Sequence, residues 1–143
     1  MDHDLKAFFS RYQDSFRRGL RGEADMAQVA CAYASAFIAA SPAGVNVGEN
    51  GEPLQRMMRD GFERYRRMGT RDMALRQVRV HPIDEHHCLA HVSWTATYER
   101  PAAKPVSIDF DVHYLVQQLQ GEPKIFGWVS GDEQALLRQH GIV

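Results

Sequence analysis

The chain has 143 residues, of which 44% are hydrophobic and 24% charged, and its formal net charge at pH 7 is -1. This length and composition predict a single globular domain over residues 1–143. The near-neutral charge argues against nucleic acid and anionic membranes as partners, because both bind concentrated positive charge. Two cysteines are too few for a disulfide framework. The N-terminus lacks a signal-peptide pattern and no apolar run could span a bilayer, so we expect a cytoplasmic, bacterial protein.

Three helices are predicted in the first half of the chain. Apolar residues recur at spacings of three and four over residues 4–20, 24–38 and 52–68. The second segment is rich in small residues, and its bulky members Tyr33 and Phe37 are four residues apart on one helical face. Short strands around 37–41 and 45–48 are predicted to flank a turn at 42–44.

The second half of the chain has the period of two that is typical of strands. Strands are predicted over 72–82, 87–99, 106–116 and 124–130, followed by a short helix within 131–141. The most regular of these is 106–116, which alternates without a break. One face of this strand is apolar and includes Phe110, Val112 and Tyr114. The other face carries Asp109, Asp111 and His113.

The polar face of 106–116 has two interpretations. Pairing of 87–99 with 105–117 would place Thr95 near Asp111 and Ser93 near His113, so that a carboxylate, hydroxyls and an imidazole form one cluster. Such a cluster could perform acid–base chemistry if it lay in a pocket. It could equally be a solvated sheet face or a polar subunit interface, which is the usual place for polar residues of a period-two strand.

No metal or cofactor site is predicted. His81, His86 and His87 surround one turn together with two acidic residues, but adjacent histidines on a strand point in opposite directions and their spacing fits no standard site. Neither cysteine has a histidine at a motif spacing, and no glycine-rich loop leads from a strand into a helix. We therefore expect neither a metal nor an organic cofactor.

The element order and two short segments resemble the nuclear-transport-factor-2-like superfamily, which includes ketosteroid isomerases and SnoaL-like polyketide cyclases. The segment FSRYQDSF is similar to the isomerase helix with a catalytic tyrosine, which implies that role for Tyr12. IDFDVHYL is similar to the strand with an oxyanion-hole aspartic acid, which implies that role for Asp111. In WVSGDE, Trp128 replaces the histidine of the His-x-Ser string that cyclase-like members often carry.

The resemblance implies an α+β fold in which a cone-shaped, strongly bent antiparallel sheet wraps around three N-terminal helices, with a short C-terminal helix. It also implies a pocket at the open end of the cone and homodimers that pack sheet against sheet. One departure concerns the chemistry. The isomerases need a carboxylate base on the hairpin after the second helix, and this region reads SPAGVNVGEN, where only Glu49 is acidic. Isomerase chemistry of that kind is therefore not expected.

Three functions remain open from the sequence. The first is binding of a small apolar molecule in an aromatic pocket. The residues predicted to line it are Tyr33, Phe37, Met58, Tyr65, Trp94 and Trp128. The second is a cofactor-independent cyclase, isomerase or hydratase, in which Asp111 and His113 are the acid–base groups and Tyr12 donates a hydrogen bond. The third is a noncatalytic dimerisation or accessory module whose interior is filled by its own side chains.

Overall fold

The computed structural model describes residues 2–143, and their side chains from Asp4 onward. Helices and strands follow each other in the order α1, α2, β1, β2, α3, β3, β4, β5, β6, α4. The helices are α1 (Asp2–Leu20), α2 (Met26–Ala30), α3 (Glu52–Met68) and α4 (Glu133–Gln139). The strands are β1 (Tyr33–Ser41), β2 (Gly44–Glu49), β3 (Thr70–Pro82), β4 (His87–Tyr98), β5 (Val106–Gln117) and β6 (Lys124–Ser130).

The six strands form one curled, open sheet in the order β2-β1-β6-β5-β4-β3. All neighbouring strands in this order are antiparallel except β1 and β6, which run parallel. Helix α1 packs against β3, and α3 packs against α1 and α2. The predicted α+β class, with helices before the long strands and a short helix after them, is confirmed.

The apolar faces of the long strands meet the helices and form the core. We call this side of the sheet the inner face and the opposite side the outer face. On β5, Val112, Tyr114 and Val116 are buried, and the ring of Tyr114 lies 5.0 Å from that of Phe9 on α1. Asp111 is on the outer face. The alternation along the strand therefore predicted correctly which residues are buried.

The predicted helix over 24–38 is wrong beyond Ala30, because the chain from Tyr33 onward forms β1. Asp25 caps the short α2 by accepting a hydrogen bond from the backbone N–H of Ala27. The side-chain amide of Asn50 then donates to the carbonyls of Ala30 and Tyr33 at 2.8 and 3.0 Å. These bonds take up backbone acceptors where α2 ends, and pairing with β2 and β6 satisfies the backbone of β1.

The predicted pairing of 87–99 with 105–117 is present, but the neighbours predicted within it were two residues from the observed ones. The loop occupies 99–105, so Thr95 lies opposite Asp109, Ser93 opposite Asp111, and His91 opposite His113. A displacement of two leaves every side chain on its predicted face, whereas a displacement of one would have exchanged the faces. The polar residues still cluster on one side of the sheet, but with different neighbours.

Candidate functional site

Two cavities lie between the inner face of the sheet and the helices. The first has a volume of about 640 Å³ and is bounded by α1, α3, the segment joining α2 to β1, and the start of β6. The second has a volume of about 540 Å³ and is bounded by the inner faces of β4 and β5 and by α4. The two cavities share five aromatic wall residues, which are Tyr12, Phe16, Tyr33, Tyr65 and Trp128.

A cluster of three tyrosines, Tyr12, Tyr33 and Tyr114, occupies the region where the cavities adjoin. The hydroxyl oxygens of Tyr12 and Tyr33 are 2.6 Å apart and share one hydrogen bond. The ring of Tyr114 lies 6.2 Å from that of Tyr12, and their hydroxyls interact. Burial raises the pKa of all three phenols, since an ionised oxygen would lose its hydration. The tyrosine cluster is therefore neutral at physiological pH and retains its hydroxyl protons.

A further phenol, Tyr65 on α3, lines both cavities and interacts with Glu133 on α4. Burial is the main cause that raises the pKa of Tyr65, and the negative charge of Glu133 raises it further. Both residues line the second cavity. A neutral phenol beside a carboxylate is arranged as a hydrogen-bond donor, because the carboxylate can only accept.

Most residues predicted to line a pocket do so. Tyr33, Tyr65 and Trp128 line both cavities, Met58 lines the first and Trp94 lines the second. The sixth predicted residue, Phe37, lines neither. Its ring instead stacks on that of Trp128 with a centroid distance of 5.3 Å, so Phe37 packs against a residue of the cavity wall. The helical position predicted for Phe37 was wrong, but it shares the inner face of β1 with Tyr33.

The structure does not bring Asp111 and His113 together with Tyr12. Tyr12 is on the inner side of the sheet, whereas the Asp111 carboxylate is 2.9 Å from Nε2 of His91 on the outer face. The His113 ring stacks on that of His91 with a centroid distance of 4.2 Å. Asp111 borders the second cavity where β5 extends beyond the last residue of β6, but its carboxylate bonds to outer-face groups.

The surroundings of these two groups set their charges. The hydrogen bond with His91 is the main cause that lowers the pKa of Asp111, so the carboxylate is ionised at neutral pH. Partial burial lowers the pKa of His113, and the neighbouring His91 lowers it further. An ionised Asp111 and a neutral His113 are the states expected on a polar surface at pH 7.

Some residues of the site were not found from the sequence. Tyr114 was assigned only to the apolar face of its strand. A buried phenol usually finds a hydrogen-bond partner, and this tendency was a signal that Tyr114 joins a hydrogen-bonded group. Glu133 lines the second cavity, and Arg11, Arg64 and Lys124 line the first. These four are charged residues of ordinary surface segments, and the sequence holds no pattern that singles them out.

Two features are absent from residues 2–143, the part of the chain that the structure describes. Among the side chains that the structure describes, from Asp4 onward, no group of three or more histidine, cysteine, aspartate or glutamate residues is arranged to hold a metal ion. Of the helices in the same range, none has both the length and the apolar character needed to cross a membrane.

Solved structures of low sequence identity share this architecture. An NTF2-like protein with a cystatin-like fold from Novosphingobium aromaticivorans has a TM-score of 0.71 at 8% identity, covering 99% of this chain and 88% of that chain. A ketosteroid isomerase-like protein from Erwinia carotovora atroseptica has a TM-score of 0.62 at 13% identity, covering 90% and 93%. The beta subunit of benzoate 1,2-dioxygenase from Burkholderia mallei has a TM-score of 0.66 at 14% identity, covering 94% and 92%.

These similarities define the class as the NTF2-like fold, and at such identities they show the fold alone. A family profile narrows the assignment. The profile described as NTF2-like protein (DUF6841) matches residues 3–133, so the chain belongs to this family. A comparison with curated proteins found no match.

Proposed function

We propose that this protein binds a small apolar molecule in the two adjoining cavities and that the tyrosine cluster hydrogen-bonds to an oxygen atom of that ligand. The observation that carries the proposal is the position of three neutral phenols at the junction of two aromatic-walled cavities. Each cavity lies within the range of about 300–1,000 Å³ that is common for small-molecule sites. Apolar walls with a few convergent polar groups are also typical of such sites.

The tyrosine cluster determines which polar group the ligand would present. Because the pKa of each of these phenols is raised, each keeps a proton to donate. The three phenols carry three hydroxyl protons, and the bonds of Tyr12 with Tyr33 and with Tyr114 use two of them, so one remains for a ligand oxygen. A carbonyl or ether oxygen accepts such a bond without bringing charge into the apolar interior.

The binding function is favoured over a cyclase, isomerase or hydratase that uses Asp111 and His113. Acid–base catalysis requires these groups to reach the reacting atoms. The nearest partners of both side chains are on the outer face, and the sheet lies between them and the tyrosine cluster. A module with a filled interior is also less favoured, because the two cavities lie inside the fold.

A homodimer formed through the outer face is part of the same proposal. Four large hydrophobic side chains are solvent-exposed on neighbouring strands of this face, namely Ile38, Val45, Val47 and Val129. The register places Val47 opposite Ile38, and Ala40 between Val45 and Val129. We call these four residues the outer apolar patch. A contiguous apolar patch on a sheet is a typical contact surface for a second copy of a chain.

Binding can be tested with methyl 2-naphthoate, a neutral aromatic ester, by isothermal titration calorimetry. We expect saturable binding with one ligand per chain. Replacing Tyr12 with phenylalanine removes a donor that contributes about 0.5–1.5 kcal/mol. The affinity should therefore fall by about two- to tenfold. The absence of saturable binding by the wild-type chain would refute the proposal.

The variant His113→Asn is the matched control, because it changes the outer face of β5, the strand that carries Tyr114. The binding proposal predicts an unchanged affinity for the ester in this variant. Equal weakening by Tyr12→Phe and His113→Asn would mean that the loss reflects general destabilisation and not the tyrosine cluster. Thermal unfolding of both variants measures that destabilisation directly.

A further inference from the structure

The two cavities differ in the charges that surround them. The first is lined by three basic residues, Arg11, Arg64 and Lys124, and by one acidic residue, Glu122. The second is lined by acidic residues without a basic residue among its described lining. These are Asp109, Asp111, Asp132 and Glu133. Because the carboxylates of Asp109 and Asp111 face Arg76 on the outer side of the sheet, at 3.6 and 3.8 Å, the negative charge inside the cavity comes from Asp132 and Glu133. A ligand that spans the junction of the cavities would therefore lie between a positive end and a negative end.

A carboxylate already occupies the mouth of the first cavity. The guanidinium of Arg11 on α1 donates to the carboxylate of Glu122, in the loop over 118–123, at 2.5 Å. The two side chains are 57% and 66% exposed, so water and salt compete with this ion pair. Its net contribution to stability is correspondingly small. A ligand carboxylate could replace Glu122 on Arg11 with the same hydrogen-bonding geometry.

The other two cations of the first cavity have no acidic partner among the described residues. The ammonium group of Lys124 donates one hydrogen bond to the carbonyl of Cys31 at 2.5 Å, which leaves two N–H donors. The guanidinium of Arg64 lies 5.8 Å from the ring centroid of Tyr65. Among the described lining residues, Glu122 is the one carboxylate and is engaged by Arg11, so these residues give the mouth a net positive charge.

We propose that the first cavity selects an apolar molecule bearing a carboxylate, which Arg11 and Lys124 hold at the mouth while the apolar part lies against the aromatic walls. This inference rests on the proposed binding function and adds the chemical class of the ligand. The acidic lining of the second cavity repels a carboxylate, so the ligand has one favoured orientation. Its anionic end lies at the first cavity, and its uncharged part, with the oxygen atom that the tyrosine cluster bonds, extends toward that cluster.

The test compares two probes that differ in one charge, 2-naphthoate and methyl 2-naphthoate. Calorimetry at pH 7 and low ionic strength should show that the wild-type chain binds the carboxylate several-fold more tightly than the ester. An exposed ion pair contributes up to about 1 kcal/mol, or about fivefold in affinity. Because salt screens exposed charges, raising the salt concentration to about 1 M should remove this preference while the ester affinity persists.

Variants at the mouth of the first cavity test which residues cause the preference for the carboxylate. Arg11→Gln and Lys124→Gln should each reduce the affinity for 2-naphthoate by about two- to fivefold and leave the ester within twofold of wild type. Glu122→Gln should act in the opposite direction and strengthen 2-naphthoate binding, because it removes the competing carboxylate. Arg59→Gln is the matched control, since Arg59 is an exposed arginine of α3 outside both cavity linings.

The outcomes separate this inference from the function on which it rests. Equal affinity for both probes, or equal weakening of both by the mouth variants, would overturn the carboxylate preference and leave ligand binding intact. If Arg59→Gln reduced the preference for 2-naphthoate over the ester as much as Arg11→Gln does, the inference would also be overturned. The preference would then reflect the net charge of the whole protein and not the residues at the mouth. Binding of neither probe would refute the proposed function and this inference with it.

Discussion

At the scale of single residues, the tyrosines carry the strongest functional signal. The chain contains five tyrosines, and the pKa of every one is raised above the ordinary value of a phenol. Burial is the first cause in each case. Tyr33 and Tyr114 are raised well above the ordinary value, because each is surrounded by other phenols in addition to being buried. The interior thus favours hydroxyl groups that remain protonated.

The raised values predict how the protein responds to alkali. The unfolded chain releases its phenolic protons near pH 10, whereas the folded chain retains them. The folded state therefore binds more protons above pH 10, and its stability falls as the pH rises beyond that value. Below pH 10 these groups contribute no pH dependence. We expect the free energy of unfolding, measured with urea, to decrease steadily above about pH 10.

The absorbance of tyrosinate at 295 nm checks this prediction directly. In native protein, ionisation of the tyrosines should be displaced to higher pH and should coincide with the loss of near-ultraviolet circular dichroism. In denaturant, all five should titrate near pH 10. A native titration with an ordinary midpoint for several tyrosines would contradict the burial of the tyrosine cluster.

Sequence could predict some site residues and not others. Tyr12, Tyr65 and Trp94 belong to the apolar faces of regular elements, and periodicity is sufficient to direct them inward. The partners of these residues depend on how separate elements meet in space. The bond between Tyr12 and Tyr33 joins α1 to β1, and the role of Lys124 depends on where β6 begins. No local pattern contains such information.

At the scale of elements, the junction between α3 and β3 depends on one glycine. Gly69 ends α3 with φ of 89°, a left-handed conformation that other residues adopt at a cost. A Cβ atom at this position would lie 2.6 Å from the carbonyl oxygen of Glu99. The backbone N–H of Glu99 donates to the carbonyl of Gly69 at 2.8 Å, so this approach is part of the native packing.

Replacing Gly69 with alanine should destabilise the protein by about 1–3 kcal/mol, because strained φ and a backbone clash act together. Gly61→Ala is the matched control within α3, where an added Cβ would meet no atom within 4 Å. It should stabilise the protein by about 0.5–1 kcal/mol, since alanine is the better helix former. Urea unfolding of both variants gives the two values, and effects of the same sign would contradict this account of the junction.

The two errors of the sequence prediction also arise at the scale of elements. Tyr33 and Phe37 are four residues apart, and this spacing places side chains on one face both in a helix and in a strand. The small residues around them favour a helix locally, but the strand is stabilised by pairing with β6, far along the chain. The neighbours predicted between β4 and β5 were two residues off, because the end-to-end pairing of 87–99 with 105–117 itself places Thr95 opposite Asp109, as the structure does.

At the scale of the whole molecule, variants of the outer apolar patch test whether the chain forms a homodimer through this surface. Its most exposed member, Val47, is 81% exposed and lies on the edge strand β2. If two copies associate through this patch, Val47→Glu and Val129→Glu place charges in the interface, where they lose hydration without gaining a partner. We expect the wild-type chain to sediment as a dimer and both variants to sediment as monomers.

Sedimentation velocity measures this outcome at micromolar concentration. Ile83→Glu is the control, because Ile83 is 61% exposed but lies in the connection between β3 and β4, outside the patch. The control variant should remain dimeric. A monomeric wild-type chain would rule out the proposed dimer, and dissociation of the control as readily as the patch variants would place the interface elsewhere.

The parallel pairing of β1 with β6 has a consequence for synthesis of the chain on the ribosome. Tyr33 pairs with Ile125, so β1 cannot join the rest of the sheet until the last strand has emerged. Before that point, β1 and β2 can form only an isolated hairpin, separate from the antiparallel unit of β3, β4 and β5. Two-stranded hairpins are marginally stable in water, and contacts between distant residues form slowly. Until β6 emerges, the nascent chain therefore carries an isolated, partly apolar hairpin, and the walls that β1 and β6 contribute to the two cavities form only afterwards.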